Sequence, residues 1–174
     1  ADAHKWMLGP EGIALFYCRE EIRSSLVLHQ YGWHMVEDVG NYDTKNLKYS
    51  STCRRFECGS PNMLGIHALS ASLSLIEEIG VNNISSNIVD NVAYMIELLK
   101  KVPDLKFISP TNKNQYAGIV TFKIEGVDTP QLYSKLTKNM LICANRSGGI
   151  RFSPHFYTSR RTIDKSFDIL SRSI

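Results

Sequence analysis

Two stretches of helical periodicity, parted by one glycine, most constrain what this chain can become. Ile66, Leu69, Leu73 and Ile76 recur at three- and four-residue spacing, and Ile84, Ile88, Val92, Met95 or Ile96, and Leu99 do so again. That period puts each set on one face of a helix, and each face needs burial. Asn62 is placed to cap the first helix, which runs to about Ile79. Gly80 ends it, and Pro103 lies just beyond the second. The pattern then shortens from helical to strand-like. Residues 105–108 read as a strand, and residues 117–124 alternate, with Val120, Phe122 and Ile124 on one side and Thr121 and Lys123 on the other. Asp128 or Thr129 caps a helix with Pro130 at its first position and Leu132, Tyr133 and Leu136 on its apolar face. Residues 140–144 and 150–152 read as strands around a Ser147-Gly148-Gly149 turn, and Thr158 caps a last helix carrying Ile163, Phe167 and Leu170. Helices in runs with short strands predict an α/β fold, helices packed on a small, mainly antiparallel sheet.

Upstream, the apolar run at residues 13–18 follows a glycine-rich loop and reads as a buried strand. Residues 20–50 are polar and broken at Gly32-Trp33 and Gly40-Asn41, so loops and short helical turns are expected there.

Composition excludes several classes of function. A hydrophobic content of 43% supports a core, and a net charge of +3, with Arg54-Arg55 and Arg160-Arg161 as isolated basic pairs, argues against nucleic-acid binding. No apolar run approaches the roughly 18 residues of a membrane span. With no signal peptide, the expected address is the cytoplasm. Cys18, Cys53, Cys58 and Cys143 form no C-x-x-C pair, and no histidine cluster has zinc-like spacing, so reduced thiols and no metal site are expected.

Three segments carry chemistry. The first is Asp2-Ala3-His4-Lys5-Trp6-Met7-Leu8-Gly9-Pro10-Glu11-Gly12. A lysine that forms a Schiff base needs a fixed direction, which a rigid Gly-Pro loop beside an apolar segment supplies. The second is Arg55-Phe56-Glu57-Cys58-Gly59-Ser60-Pro61-Asn62, a helix entry of the kind that suits anions. The third is Gly149-Ile150-Arg151-Phe152-Ser153-Pro154-His155-Phe156-Tyr157-Thr158, whose arginine offers a fork matched to a carboxylate. The chain opens directly inside the first motif without an initiator methionine, so a fragment of a longer protein is expected.

Together these segments resemble the C-terminal portion of class V aminotransferases. These are fold-type I pyridoxal-phosphate (PLP) enzymes, a group that includes cysteine desulfurases and isopenicillin N epimerase-like proteins. The resemblance implies that Lys5 bonds to PLP, that His4 contacts its phosphate, and that Ser60, with Gly59, reaches the phosphate of a partner subunit across a homodimer. It implies that Arg151 binds the α-carboxylate of an amino-acid substrate, with Arg146 aligned near another family arginine. Many members carry Ser or Thr three residues before the lysine, where this chain has Asp2. A carboxylate facing a phosphate is repelled, so Asp2 is expected to point elsewhere.

Residues 1–45 resemble the end of the large PLP-binding domain and 46–174 the small C-terminal domain. The acid that pairs with the pyridine nitrogen and the ring-stacking group belong to the large domain before the lysine, so the isolated chain is expected to be inactive. Desulfurases carry a catalytic cysteine in a loop before the substrate arginine. Here residues 146–151 leave only a short turn, and Cys143 lies earlier, where it reads as a small buried hydrophobe. That favours the aminotransferase or epimerase-like branch over cysteine desulfurase or selenocysteine lyase. A non-catalytic dimerisation or interaction module is the rival of another class.

Overall fold

A computed structural model describes all 174 residues, Ala1–Ile174. The chain divides into two compact units, Ala1–Glu78 and Ile79–Ile174.

In the first unit the opening segment folds back on itself. Ala3 N–H donates to Ile13 O at 3.2 Å, Gly9 N–H to Ala3 O at 2.9 Å and Leu8 N–H to Lys5 O at 3.1 Å. Ala3 is fully buried beneath this turn. The expected buried strand at 13–18 does not form. Ala14 makes a single antiparallel bridge with Asp2, and Leu15, Phe16 and Tyr17 are 49%, 63% and 83% exposed. A strand buries its side chains only under a continued ladder or a covering layer, and one bridge supplies neither.

Helix α1 (Glu20–Arg23) and a 3-10 turn at Trp33–Met35 interrupt the polar stretch, as the glycine breaks predict. Gly32 is required at its place, because a Cβ there would lie 1.8 Å from the Cys58 carbonyl oxygen. A second 3-10 turn, Cys53–Phe56, leads toward helix α2 (Met63–Ile79). Asn62 caps α2 as expected, its Oδ1 accepting from Gly65 N–H at 3.0 Å. Leu69 and Ile76 are buried on α2, but Ile66 is 42% exposed, a departure from the expected apolar face. Ser72 donates its hydroxyl to Leu8 O at 2.9 Å, tying α2 to the loop that follows Lys5.

The second unit has two layers. Gly80, with φ of 87°, precedes helix α3 (Val81–Leu99), on which Ile84, Ile88, Val92, Met95, Ile96 and Leu99 are all buried. Strands β1 (Leu105–Phe107), β2 (Val120–Ile124), β3 (Ala144–Arg146) and β4 (Gly149–Phe152) form an antiparallel sheet in the order β1-β2-β4-β3. Helices α4 (Thr129–Lys138) and α5 (Arg160–Ser173) complete it. Val120, Phe122 and Ile124 of β2 and Ile150 and Phe152 of β4 join Leu132, Leu136, Ile163 and Leu170 in one core with α3. The fold is α/β, helices on a small antiparallel sheet, as the periodicities predict.

Three boundaries differ from the sequence reading. The strand expected from Met140 starts at Ala144, because Met140 takes a left-handed φ of 62° in closing α4 and Ile142 is left 96% exposed. Ser159, not Thr158, caps α5. The Ser159 hydroxyl accepts from Thr162 N–H at 3.2 Å, while that of Thr158 accepts from His155 N–H at 3.0 Å. Asp128 caps α4, leaving Thr129 as its first residue and Pro130 as its second. The β3–β4 hairpin turns through Ser147 and Gly148, with φ of 54° and 74°, the two left-handed residues of a tight primed turn. No single helix is long and apolar enough to cross a membrane.

The Asp128 cap gives a stability prediction. Its Oδ1 accepts from Gln131 N–H at 2.8 Å. Asp128→Ala is expected to lower unfolding stability by about 1 kcal/mol, read as a lower denaturant midpoint at constant slope. An unchanged midpoint would mean that water satisfies the Gln131 N–H equally well.

Candidate active-site residues

Lys5 sits on the folded-back turn with its side chain exposed. Its Nζ donates to Asp2 Oδ2 at 2.6 Å, an ion pair between side chains 64% and 60% exposed. The hydrogen bond from Lys5, and then its charge, hold the Asp2 carboxyl below the usual carboxylate range. Asp2 is thus turned onto the lysine. His4 is exposed beside them. The sequence reading missed this pair, whose signal was two opposite charges three residues apart.

Gly59 and Ser60 follow the second 3-10 turn, Gly59 half-buried and Ser60 exposed. With Ile13–Phe16, Phe56 and the Ile66 side of α2 they line a groove of about 970 Å³. The ring of Phe16 meets that of Phe56 edge-on at 5.2 Å. Lys5 and His4 are not among the lining residues. Within the first unit, then, the lysine turn and the Gly59-Ser60 entry are separate features. Of the run at 13–18 expected as a buried strand, residues 13–16 form a wall of this groove.

In the second unit Arg151 and Arg146 are brought together on one sheet face. Ala144 is opposite Arg151 and Arg146 opposite Gly149, so alternation along β3 and β4 points both arginines the same way. Arg151 is also opposite Thr121, which places Lys123 and its partner Lys106 on this face, away from the core residues Val120 and Phe122. Like charges opposite one another on a ladder are unfavourable unless something anionic offsets them. Arg151 is half-buried, and its Nε is buried with no hydrogen-bond partner. A buried donor left unpaired is costly, and a ligand acceptor removes the cost. After β4, His155 stacks on Tyr157 with ring centroids 5.1 Å apart, an aromatic cluster the sequence reading left without a role.

Cys143 is half-buried and packs against the core cluster. Burial pushes its thiol pKa up, which disfavours the thiolate that attacks sulfur or carbon. All four cysteines are free, and no group of three or more His, Cys, Asp or Glu residues is arranged to hold a metal ion.

The family described as aminotransferase class-V matches residues 1–165, and the chain belongs to that family. An uncharacterized aminotransferase of Bacillus subtilis, YcbU, is 29% identical over 173 residues, which is 97% of this chain and 43% of that protein. A cysteine desulfurase of Cronobacter sakazakii is 32% identical over 121 residues, 70% of this chain and 28% of the relative. A structure of a C-DES mutant with glycine covalently linked to its PLP cofactor matches with a TM-score of 0.87 at 18% identity, over 98% of this chain and 44% of that one. At that identity the likeness shows the fold. The chain spans less than half the length of these relatives.

Proposed function

We propose that this chain belongs to a PLP-dependent enzyme acting on an amino acid, in the aminotransferase or epimerase-like branch of the class V family, with Lys5 as the residue that carries the cofactor. The observation that carries the reading is the lysine turn. Three backbone hydrogen bonds and a buried Ala3 fix it, yet the amine itself is open to solvent. The donors of the turn fit one end of a phosphorylated aldehyde, with a primary amine at Lys5 and an imidazole at His4, while the separate Ser60 hydroxyl fits the phosphate of a partner subunit. The unpaired Arg151 Nε fits a carboxylate acceptor.

When bound, PLP supplies the sink for negative charge arising at the substrate Cα. The chain's own residues do the rest. Arg151, with Arg146 on the same face, orients the substrate α-carboxylate. With PLP bound, the Lys5 amine would take the proton from the substrate Cα and return it. His4 holds the cofactor phosphate of its own subunit, and Gly59 and Ser60 that of the partner in a homodimer. Residues 1–45 form the end of the large domain and 46–174 the small domain. Free thiols support a cytoplasmic address. The chain alone lacks activity, in keeping with the share of its relatives it spans.

The test is an absorbance spectrum of the full-length protein with PLP, followed by borohydride reduction and peptide mapping. The expected result is an imine band and a reduced label on Lys5. No band and no label would favour a non-catalytic dimerisation or interaction module that keeps the family fold.

The name of the Cronobacter relative favours a second reading, cysteine desulfurase or the related selenocysteine lyase. The half-buried Cys143, with its thiol pushed up, opposes it. Sulfide release from cysteine by the full-length protein is expected to be unchanged in Cys143→Ala, and sulfide that depends on Cys143 would establish the second reading.

A further inference from the structure

Within the lysine turn, Asp2 is the fixed partner and Lys5 the movable one. Asp2 is held by its bridge to Ala14 and by the neighbouring hydrogen bond from Ala3 N–H to Ile13 O. Its side chain is short, so its carboxylate has little room to move. Lys5 reaches back to it over one turn with a long, flexible stem, and the two meet at 2.6 Å. Neither Lys5 nor Asp2 enters another ion pair, and the charges of His4 and the N-terminal amine act on Asp2 only after that of Lys5.

In the pair the Lys5 Nζ points onto the Asp2 carboxylate, so its nitrogen is turned away from an incoming carbonyl carbon. Attack on that carbon needs the nitrogen presented with its lone pair, after the amine has given a proton to solvent. We propose that Asp2 is a positioning residue for Lys5: its carboxylate holds the amine against the turn, and the pair opens before Lys5 reacts with a carbonyl carbon. This deepens the role proposed for Lys5 and rests on it. Because Lys5 keeps the Asp2 carboxyl below the usual carboxylate range, the pair is fully present above the ordinary aspartate range. It is lost as pH falls through the lowered value. At neutral pH it opens by displacement or by screening, not by protonation of Asp2. An exposed pair is screened by salt, so opening is easier at high ionic strength.

The test uses acetic anhydride on the full-length protein, with the Lys5 peptide followed by mass spectrometry. Each event forms an N–C bond at Lys5 Nζ, expels acetate and releases the amine proton to buffer, so it reads the open form without any cofactor. Asp2→Asn keeps the shape and the backbone bridge while removing the charge. It is expected to speed Lys5 acetylation about two- to fivefold at low salt, the range an exposed ion pair supports. Added salt is expected to speed the unaltered protein toward the variant's rate and to leave the variant unchanged. Lys123, exposed on β2, is the internal reference and is expected to label equally in both. A purely structural role for Asp2 would not produce the salt dependence.

Equal or slower labelling of Lys5 in Asp2→Asn, or a rate in the unaltered protein that ignores salt, overturns the proposal. A parallel arm with PLP and borohydride separates the two readings. Faster, salt-insensitive acetylation of the variant with no PLP label on Lys5 in either protein leaves the ion-pair inference standing and removes the proposed cofactor role. A PLP label with unaltered acetylation does the reverse.

Discussion

Lys5→Ala in the full-length protein is expected to lower turnover of the amino-acid substrate by about a hundred- to ten-thousandfold, the range a positioned acid-base group contributes. The loss has two sources. The fixed turn presents one primary amine to solvent, and alanine leaves nothing there to bond to the cofactor or to carry a proton at the substrate Cα. Lys5→Arg keeps a positive charge but offers no nucleophilic nitrogen, since a guanidinium stays protonated. It is expected to be as inactive as alanine. Measured kcat with substrate and PLP both saturating separates this from weak binding. Activity of Lys5→Ala within tenfold of the unaltered protein would refute the assignment. The backbone bonds that build the turn come from Ala3, Leu8 and Gly9 and are made without the Lys5 side chain, so the variant is expected to fold.

The second large effect is at Arg151. Arg151→Ala is expected to cut kcat/KM about thirty- to a thousandfold, the cost of removing one partner from a buried charged hydrogen bond. Arg151→Lys is expected to recover only part of this, because an ammonium cannot present two parallel donors to a carboxylate. The test is steady-state kinetics on an amino acid and on the matching amine that lacks the carboxylate. The variant should lose its preference for the acid while the amine reacts as before. If the preference survives in Arg151→Ala but disappears in Arg146→Ala, the carboxylate role belongs to Arg146, which shares the sheet face.

The helices and the sheet of the second unit were legible because their apolar periods are long. Ile84, Ile88, Val92, Met95, Ile96 and Leu99 recur at helical spacing and are all buried as the spacing requires, and Val120, Phe122 and Ile124 alternate into the core. Errors came at element ends. Met140 lies in an apolar run that periodicity cannot tell from a strand, and its left-handed φ arises from closing α4. Thr158 and Ser159 are adjacent and both able to cap. The choice fell to Ser159 because Thr158 is already engaged by His155 N–H.

The candidate residues divide in the same way. Resemblance to the class V motifs marked Lys5, His4, Gly59, Ser60, Arg146 and Arg151, because such motifs are local and are written in order along the chain. The apolar periods, also local, determined the α/β class. What only the tertiary structure decided is where side chains point and what they meet. Residues 13–16 are a groove wall instead of a buried strand, since burial depends on whether a second layer covers them. Asp2 turns onto Lys5, since the bridge to Ala14 fixes its direction. Arg151 and Arg146 share one face with Lys106 and Lys123, since strand register, a pairing between distant segments, sets which side chains become neighbours.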